Sequence, residues 1–165
     1  MVCKNCSNDM STIKQCWIFL CYNNVIRRKE VFHMSKPIKN HFELKDVCRK
    51  ATSYFVGSFM LGFIVQRKLW ETPETKTKFI EDFHKEYCCW DDHATIERTR
   101  NRVNCMIRII ESNLVTDALQ YVLDADDSKL DCPQAKENAR DTLRLIEAGR
   151  LNIQTGELKY WEDKI

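Results

Sequence analysis

Glycine and proline are scarce in this chain of 165 residues, which contains four glycines and three prolines. Between residues 40 and 124 the strong helix breakers are Gly57, Gly62 and Pro73. Apolar residues recur three or four positions apart over the same stretch, a pattern typical of long amphipathic helices. The composition excludes fibrous and loop-rich classes and predicts a mainly α protein.

The chain also lacks a long hydrophobic run. Its longest apolar stretch, Tyr54–Val65, has 12 residues, whereas a membrane-spanning helix needs about 20. The N-terminal apolar run Cys16–Tyr22 is too short for a secretory signal and is not followed by a small-residue cleavage site. We therefore expect a cytoplasmic protein without a membrane partner.

Neither positive nor negative charge dominates, because the chain contains 26 basic and 24 acidic residues and has a net charge of +2. Such a balance creates no overall field that would demand nucleic acid or an anionic surface. A nucleic-acid partner would therefore need a local basic patch.

Cysteine, in contrast, is abundant and unevenly distributed. Four of the nine cysteines, namely Cys3, Cys6, Cys16 and Cys21, lie in the first 21 residues. Aromatic and branched residues flank Asn23-Asn24, and asparagine tolerates the positive φ of a two-residue turn, so residues 16–32 form a possible N-terminal β-hairpin. Residues 1–33 are thus a separate Cys-rich segment, or alternatively an extension upstream of a start at Met34. Residues 34–165 should form a single helical domain.

The expected fold of that domain is a compact bundle of about four helices that ends in a C-terminal β-hairpin. The predicted helices span residues 42–70, 73–90, 92–123 and 133–149, with the third either continuous or bent near Asn113. Thr72-Pro73 and Asp91-Asp92 should begin the second and third, and Gly149 should end the fourth. Alternating apolar and polar residues around Thr155-Gly156 predict the C-terminal hairpin.

Two Cys and His patterns could hold a metal. Cys3 and Cys6 have the spacing of half a zinc site, but Cys16 and Cys21 would point to opposite faces of a strand, and His33 or His41 could join only by folding back. We therefore expect no bound metal or cofactor.

His84, Cys88, Cys89 and His93 form the second pattern, in which His84 and Cys88 lie one helical turn apart. They suggest an enzyme with a site around His84, Cys88 and His93. Buried thiols and surface histidines explain the pattern more simply, because no orienting third group or oxyanion site accompanies them.

A cluster of basic residues lies on the third predicted helix. It comprises Arg98, Arg100, Arg102 and Arg108. Such a face could contact the phosphates of a nucleic acid. Glu97 and Glu111 dilute it, and no glycine-rich phosphate loop or aromatic stacking platform accompanies it.

No assembled catalytic set emerges from these patterns, whereas four tryptophans could anchor an interface. The sequence therefore favours a non-enzymatic protein-binding regulator, adaptor or small inhibitor, of the kind that phages and mobile elements encode. Another protein is the expected partner, and self-association is compatible with the same features. A nucleic-acid-binding protein and an enzyme are the alternatives.

Overall fold

The computed structural model of this chain describes residues 36–87, 95–126 and 134–159, all of which belong to one unit. This part of the chain contains six α-helices and no β-strand. They are α1 (His41–Ala51), α2 (Ser53–Val65), α3 (Pro73–Tyr87), α4 (Ile96–Glu111), α5 (Val115–Leu123) and α6 (Gln134–Glu147), with a short 3₁₀-helix at Arg67–Leu69. The predicted helical class is confirmed, but the expected number of about four helices is wrong.

The first predicted helix, residues 42–70, is divided at Thr52. This residue has φ 76° and ψ 140°, which no α-helix accommodates. Its backbone N–H donates to the Arg49 carbonyl at the end of α1, and its Oγ1 accepts a hydrogen bond from the Phe55 N–H at the start of α2. A threonine between two apolar segments therefore ends one helix and caps the next, which the continuous apolar spacing concealed.

The third predicted helix is also divided, at the bend that the sequence left open near Asn113. Asn113 has φ 58°, its N–H donates to the Ile110 carbonyl, and the Leu114 N–H donates to the Ile109 carbonyl. These bonds form a Schellman motif with asparagine in the left-handed position that usually takes glycine. The helix α4 begins after Thr95, whose side chain accepts from the Arg98 N–H.

Two predicted helix ends are confirmed. Thr72 Oγ1 accepts a hydrogen bond from the Thr75 N–H at 3.3 Å, so Thr72 caps α3 and Pro73 occupies its first position. Gly149 has φ +65°, and hydrogen bonds from Gly149 to Ile146 and from Arg150 to Leu145 complete a second Schellman motif.

The C-terminal β-hairpin is not formed by the described residues. A single antiparallel bridge joins Leu151 to Leu158. The Asn152 side chain accepts hydrogen bonds from the backbone N–H groups of Gln154 and Thr155, so the chain turns directly after Leu151 and leaves no room for a ladder. This turn lies against α2, where a Cβ on Gly156 would come within 2.4 Å of the Ile64 carbonyl oxygen.

The helix α2 lies at the centre of the fold and contacts α1, α4, α5 and α6. One of its sides carries Phe55, Phe59 and Phe63, whose rings meet those of Phe79 and Phe83 on α3 at centroid distances of 5.3 to 5.5 Å. On another side, Gly57 allows the Ala135 backbone of α6 to approach so closely that an added Cβ would stand 2.5 Å from its oxygen. A neighbouring helix therefore approaches α2 closely at Gly57.

Some sequence-based predictions concern residues outside the described part of the chain. They include the Cys-rich segment 1–33 with its hairpin, the alternative start at Met34, the cap Asp91-Asp92 and the start of the fourth predicted helix at residue 133. Within the described ranges, no helix is long and apolar enough to cross a membrane.

Candidate functional site

A groove of about 1080 Å³ lies between α1, the start of α3 and the outer face of α4. The residues that each helix contributes to the groove lie on one side of that helix. Val47 and Lys50 are three positions apart in α1, and Arg98, Asn101, Arg102 and Cys105 recur three or four positions apart in α4. The chain between the 3₁₀-helix and α3 closes one end with Trp70, Glu71 and Thr72. Residues far apart in sequence thus form one concave surface.

Positive charge predominates in this groove. Five basic side chains line it against two acidic ones, Glu71 and Glu111. The basic residues are Lys50, Lys76, Arg98, Arg102 and Arg108. Burial lowers the pKa of Lys76, and the nearby Glu111 carboxylate opposes that change. The groove therefore has a formal positive excess that suits an anionic ligand.

The four arginines of the alternative nucleic-acid hypothesis are in different settings. Arg98 is exposed and Arg102 half-buried, with its guanidinium 5.9 Å from the Phe55 ring centroid. Arg100 does not line the groove, and its Nη1 lies 3.7 Å from a carboxylate oxygen of Glu97. The structure thus brings Arg98, Arg102 and Arg108 to one groove and places Arg100 outside it.

Arg108 links α4 to α1 and to the chain that precedes α1. Its Nη2 donates to Glu43 of α1, and its Nε donates to the Lys36 carbonyl at 2.7 Å. The pKa of Glu43 is lowered mainly by a hydrogen bond from the Lys39 N–H and then by the bond from Arg108. Arg108 therefore holds the start of the described chain against α4, and this structural task explains its position without a ligand.

The apolar part of the groove consists mainly of Val47, Ile107, Pro73 and Trp70. Trp70 is only 3% exposed, its indole N–H donates to the Phe63 carbonyl at 3.0 Å, and the Arg67 guanidinium lies 5.5 Å from its ring centroid. Its ring is therefore packed into the fold and offers no open face on which a nucleic-acid base could stack.

Two thiols lie near the groove, and neither is activated. Cys48 is fully buried, and burial raises its pKa to about 12. Burial also raises the pKa of Cys105, against the opposing effect of Lys50 and Arg108. Because the thiolate is the nucleophilic form, these cysteines are inert at neutral pH.

Of the residues suggested for an enzyme site, the structure describes only His84. Its Nδ1 lies 2.9 Å from the hydroxyl oxygen of Thr99, which is 7% exposed, so the pair links α3 to α4. Neither residue lines the groove. Cys88, Cys89 and His93 lie outside the described residues, as do Cys3, Cys6, Cys16, Cys21 and His33 of the zinc hypothesis. His41 is the first, exposed residue of α1, and the described ranges contain no group of three potential metal ligands.

Sequence reasoning missed Lys50, Lys76 and Trp70 as groove residues. Lys50 belongs to α1 and Lys76 to the first turn of α3, and no spacing along the sequence relates them to the arginines of α4. The only available signal was the Thr72-Pro73 helix start. It places Lys76 in the first turn of α3 but does not show which neighbouring helix Lys76 faces.

Comparison with known proteins adds no relative. No family model, curated protein or solved structure matches this chain.

Proposed function

We propose that this protein is a non-enzymatic binding protein, a regulator, adaptor or small inhibitor, whose partner is another protein. The groove between α1, α3 and α4 is the observation that carries this proposal. It combines apolar side chains with charged ones, as the contact surfaces of non-obligate protein complexes do.

Catalysis has less support in the described residues. His84 and Thr99 form a hydrogen-bonded pair that resembles a base beside a hydroxyl, but they lie away from the groove. An active site needs a base, a nucleophile and space for a substrate in one place. The buried Thr99 hydroxyl is better explained as a polar link between two helices.

Nucleic-acid binding is the second candidate, because basic side chains outnumber acidic ones in the groove. Several features weigh against it. Arg108 is engaged by Glu43 and the Lys36 carbonyl, Arg100 lies beside Glu97, and Trp70 has no open face. A phosphate backbone is bound best by an uninterrupted basic surface, which these residues do not form.

Purification of the tagged full chain from its native cells tests the choice between the two partners. We expect a second protein in a stoichiometric amount and no excess absorbance at 260 nm. The recovered partner is then purified separately and titrated calorimetrically with the chain, to show that the two bind directly.

A complex that dissolves on nuclease treatment, together with binding of the purified chain to an oligonucleotide that weakens steeply with salt, would overturn the proposal in favour of nucleic acid. A chain that remains alone through the purification and captures neither partner would contradict both candidates.

A further inference from the structure

We propose that the groove binds an acidic segment of the partner protein, with carboxylate side chains paired to Arg98 and Arg102 and an apolar side chain placed against the exposed Pro73. This inference deepens the proposed function and rests on it. It assigns both the site on this chain and the chemistry of the segment that fits there.

The arginine positions carry the first step. Arg98 and Arg102 are four residues apart in α4 and therefore project from the same side of the helix, where both line the groove. Guanidinium groups bind carboxylates through two parallel hydrogen bonds, which fixes geometry as well as charge. Two acidic residues spaced along a segment would meet this pair.

The opposite walls carry the second step. Lys50 of α1 and Lys76 of α3 line the same groove, so a segment lying in it would have positive charge on each side. Asn101 and Asn104 of α4 also line it, and their side-chain amides combine donor and acceptor groups that suit a peptide backbone. Charge complementarity and amide pairing together favour an acidic peptide.

The two acidic residues of the groove decide between a peptide and a polyanion. Glu71, whose carboxylate lies 3.7 Å from the Arg67 Nε, and Glu111 interrupt the basic lining along which a nucleic acid would place its evenly spaced phosphates. A peptide can place a neutral or basic residue opposite each of them and an acidic residue opposite each arginine. The mixed lining therefore fits a segment in which acidic residues alternate with other residues.

Arg100 provides a matched control within the same helix. It is exposed, carries the same charge as Arg98 and does not line the groove. Reversing either charge changes the net charge of the protein by the same amount. A difference between Arg98→Glu and Arg100→Glu therefore reports on the groove and not on the overall field.

The test uses a displayed library of random peptides selected on the immobilised full chain. We expect the selected peptides to be enriched in Asp and Glu interspersed with apolar residues. A labelled selected peptide is then titrated by fluorescence anisotropy against the wild type and the two variants, beside a copy with Gln for each Glu and Asn for each Asp, and beside oligothymidylate. Circular dichroism checks that each variant is folded.

Arg98→Glu should weaken peptide binding about tenfold, because an attraction becomes a repulsion, while Arg100→Glu should change it less than about twofold. The amide copy should bind more weakly than the acidic peptide. Equal effects of the two variants, or selected peptides without acidic enrichment, would overturn the inference.

The failure of this inference is distinguishable from failure of the proposed function. If the native partner protein binds Arg98→Glu as tightly as the wild type, the groove is not its site, although the chain still binds a protein. If oligothymidylate binds more tightly than the peptide and Arg98→Glu abolishes that binding, the groove serves nucleic acid and the proposed function is wrong as well.

Discussion

The helices α2 and α4 contact each other in one core, yet the fold uses their surfaces differently. The sequence of α2 contains no charged residue, and neighbouring helices pack around it on several sides. The helix α4 buries Val103, Met106, Ile107 and Ile110 on one side and lines the groove with Arg98 and Arg102 on another. Substitutions in α2 should therefore affect folding alone, whereas α4 separates buried apolar residues that stabilise the fold from basic residues that line the groove.

The largest effect should come from Phe63→Ala in α2. Phe63 is fully buried and its ring meets those of Phe55, Phe79 and Phe83, so removing it leaves a cavity at the centre of the aromatic cluster. We expect a loss of about 3–5 kcal/mol in the free energy of unfolding, measured by urea denaturation. Leu61→Ala, at a half-buried position of the same helix, should cost less. Equal costs would show that α2 is not buried as described.

The apolar side of α4 should respond almost as strongly. Ile110 is fully buried, and Ile110→Ala should lower the free energy of unfolding by roughly 2–5 kcal/mol. Denaturation and sedimentation of the same samples check this. A variant monomer that keeps its stability while an oligomer or complex dissociates would show that this side is an interface.

Gly57→Ala adds a single methyl group where α2 meets α6. The new Cβ would stand 2.5 Å from the Ala135 carbonyl oxygen, so the two backbones must separate. We expect a cost of about 1–3 kcal/mol, despite the better helix propensity of alanine. Ser58→Ala, at the next and half-buried position, serves as the control in the same thermal unfolding experiment. A stabilised Gly57→Ala variant would contradict the close approach of α6.

The burial of Cys48 predicts that the free energy of unfolding changes with pH. Its pKa is raised from 9.0 to about 12 in the folded protein, so the thiol ionises first in the unfolded chain. Its contribution to stability is therefore complete below pH 9 and declines as pH rises toward 12, by about 1 kcal/mol at pH 10. Cys48→Ala should remove this part of the alkaline loss, which urea denaturation at pH 8 and pH 10 would show. Identical losses in both proteins would mean that Cys48 is not buried.

The smallest effects should be on the groove side of α4. Arg98 is exposed, so Arg98→Ala should change the free energy of unfolding by about 0.5 kcal/mol or less. Arg102 lies over the Phe55 ring, and Arg102→Ala should cost about 0.5–1 kcal/mol more. Chemical denaturation of both variants measures these changes in the free energy of unfolding. A large loss from Arg98→Ala would make this side part of the stabilising core and remove the contrast with α2.

Local sequence signals gave the helix ends that depend on one or two residues. Thr72-Pro73 and Gly149 act as predicted, because a capping hydroxyl, a proline φ and a glycine in the left-handed region are properties of those residues themselves. Thr52 and Asn113 were harder to predict. Threonine rarely adopts a positive φ, and asparagine does so only in some contexts, so the surrounding helices must hold them there.

The candidate site was predictable only in part. Helical spacing places Arg98 and Arg102 on one side of α4, and the sequence analysis included both in its basic cluster. It could not separate them from Arg100, which lies beside Glu97, or from Arg108, which binds Glu43 of another helix. The charge of a side chain does not reveal which residue it will contact in the folded protein.

By itself, the sequence determined that the chain is mainly helical, that its apolar stripes must be buried and where several helices begin and end. These properties follow from the period of apolar residues and from local capping chemistry, which act within a few positions of each other. The tertiary structure decided that the first and third predicted helices are divided, that the Leu151 to Leu158 segment forms one bridge, and that Lys50 and Lys76 join Arg98 and Arg102 around a groove. Those features depend on contacts between residues far apart in the chain, and their energies appear only once the helices have packed together.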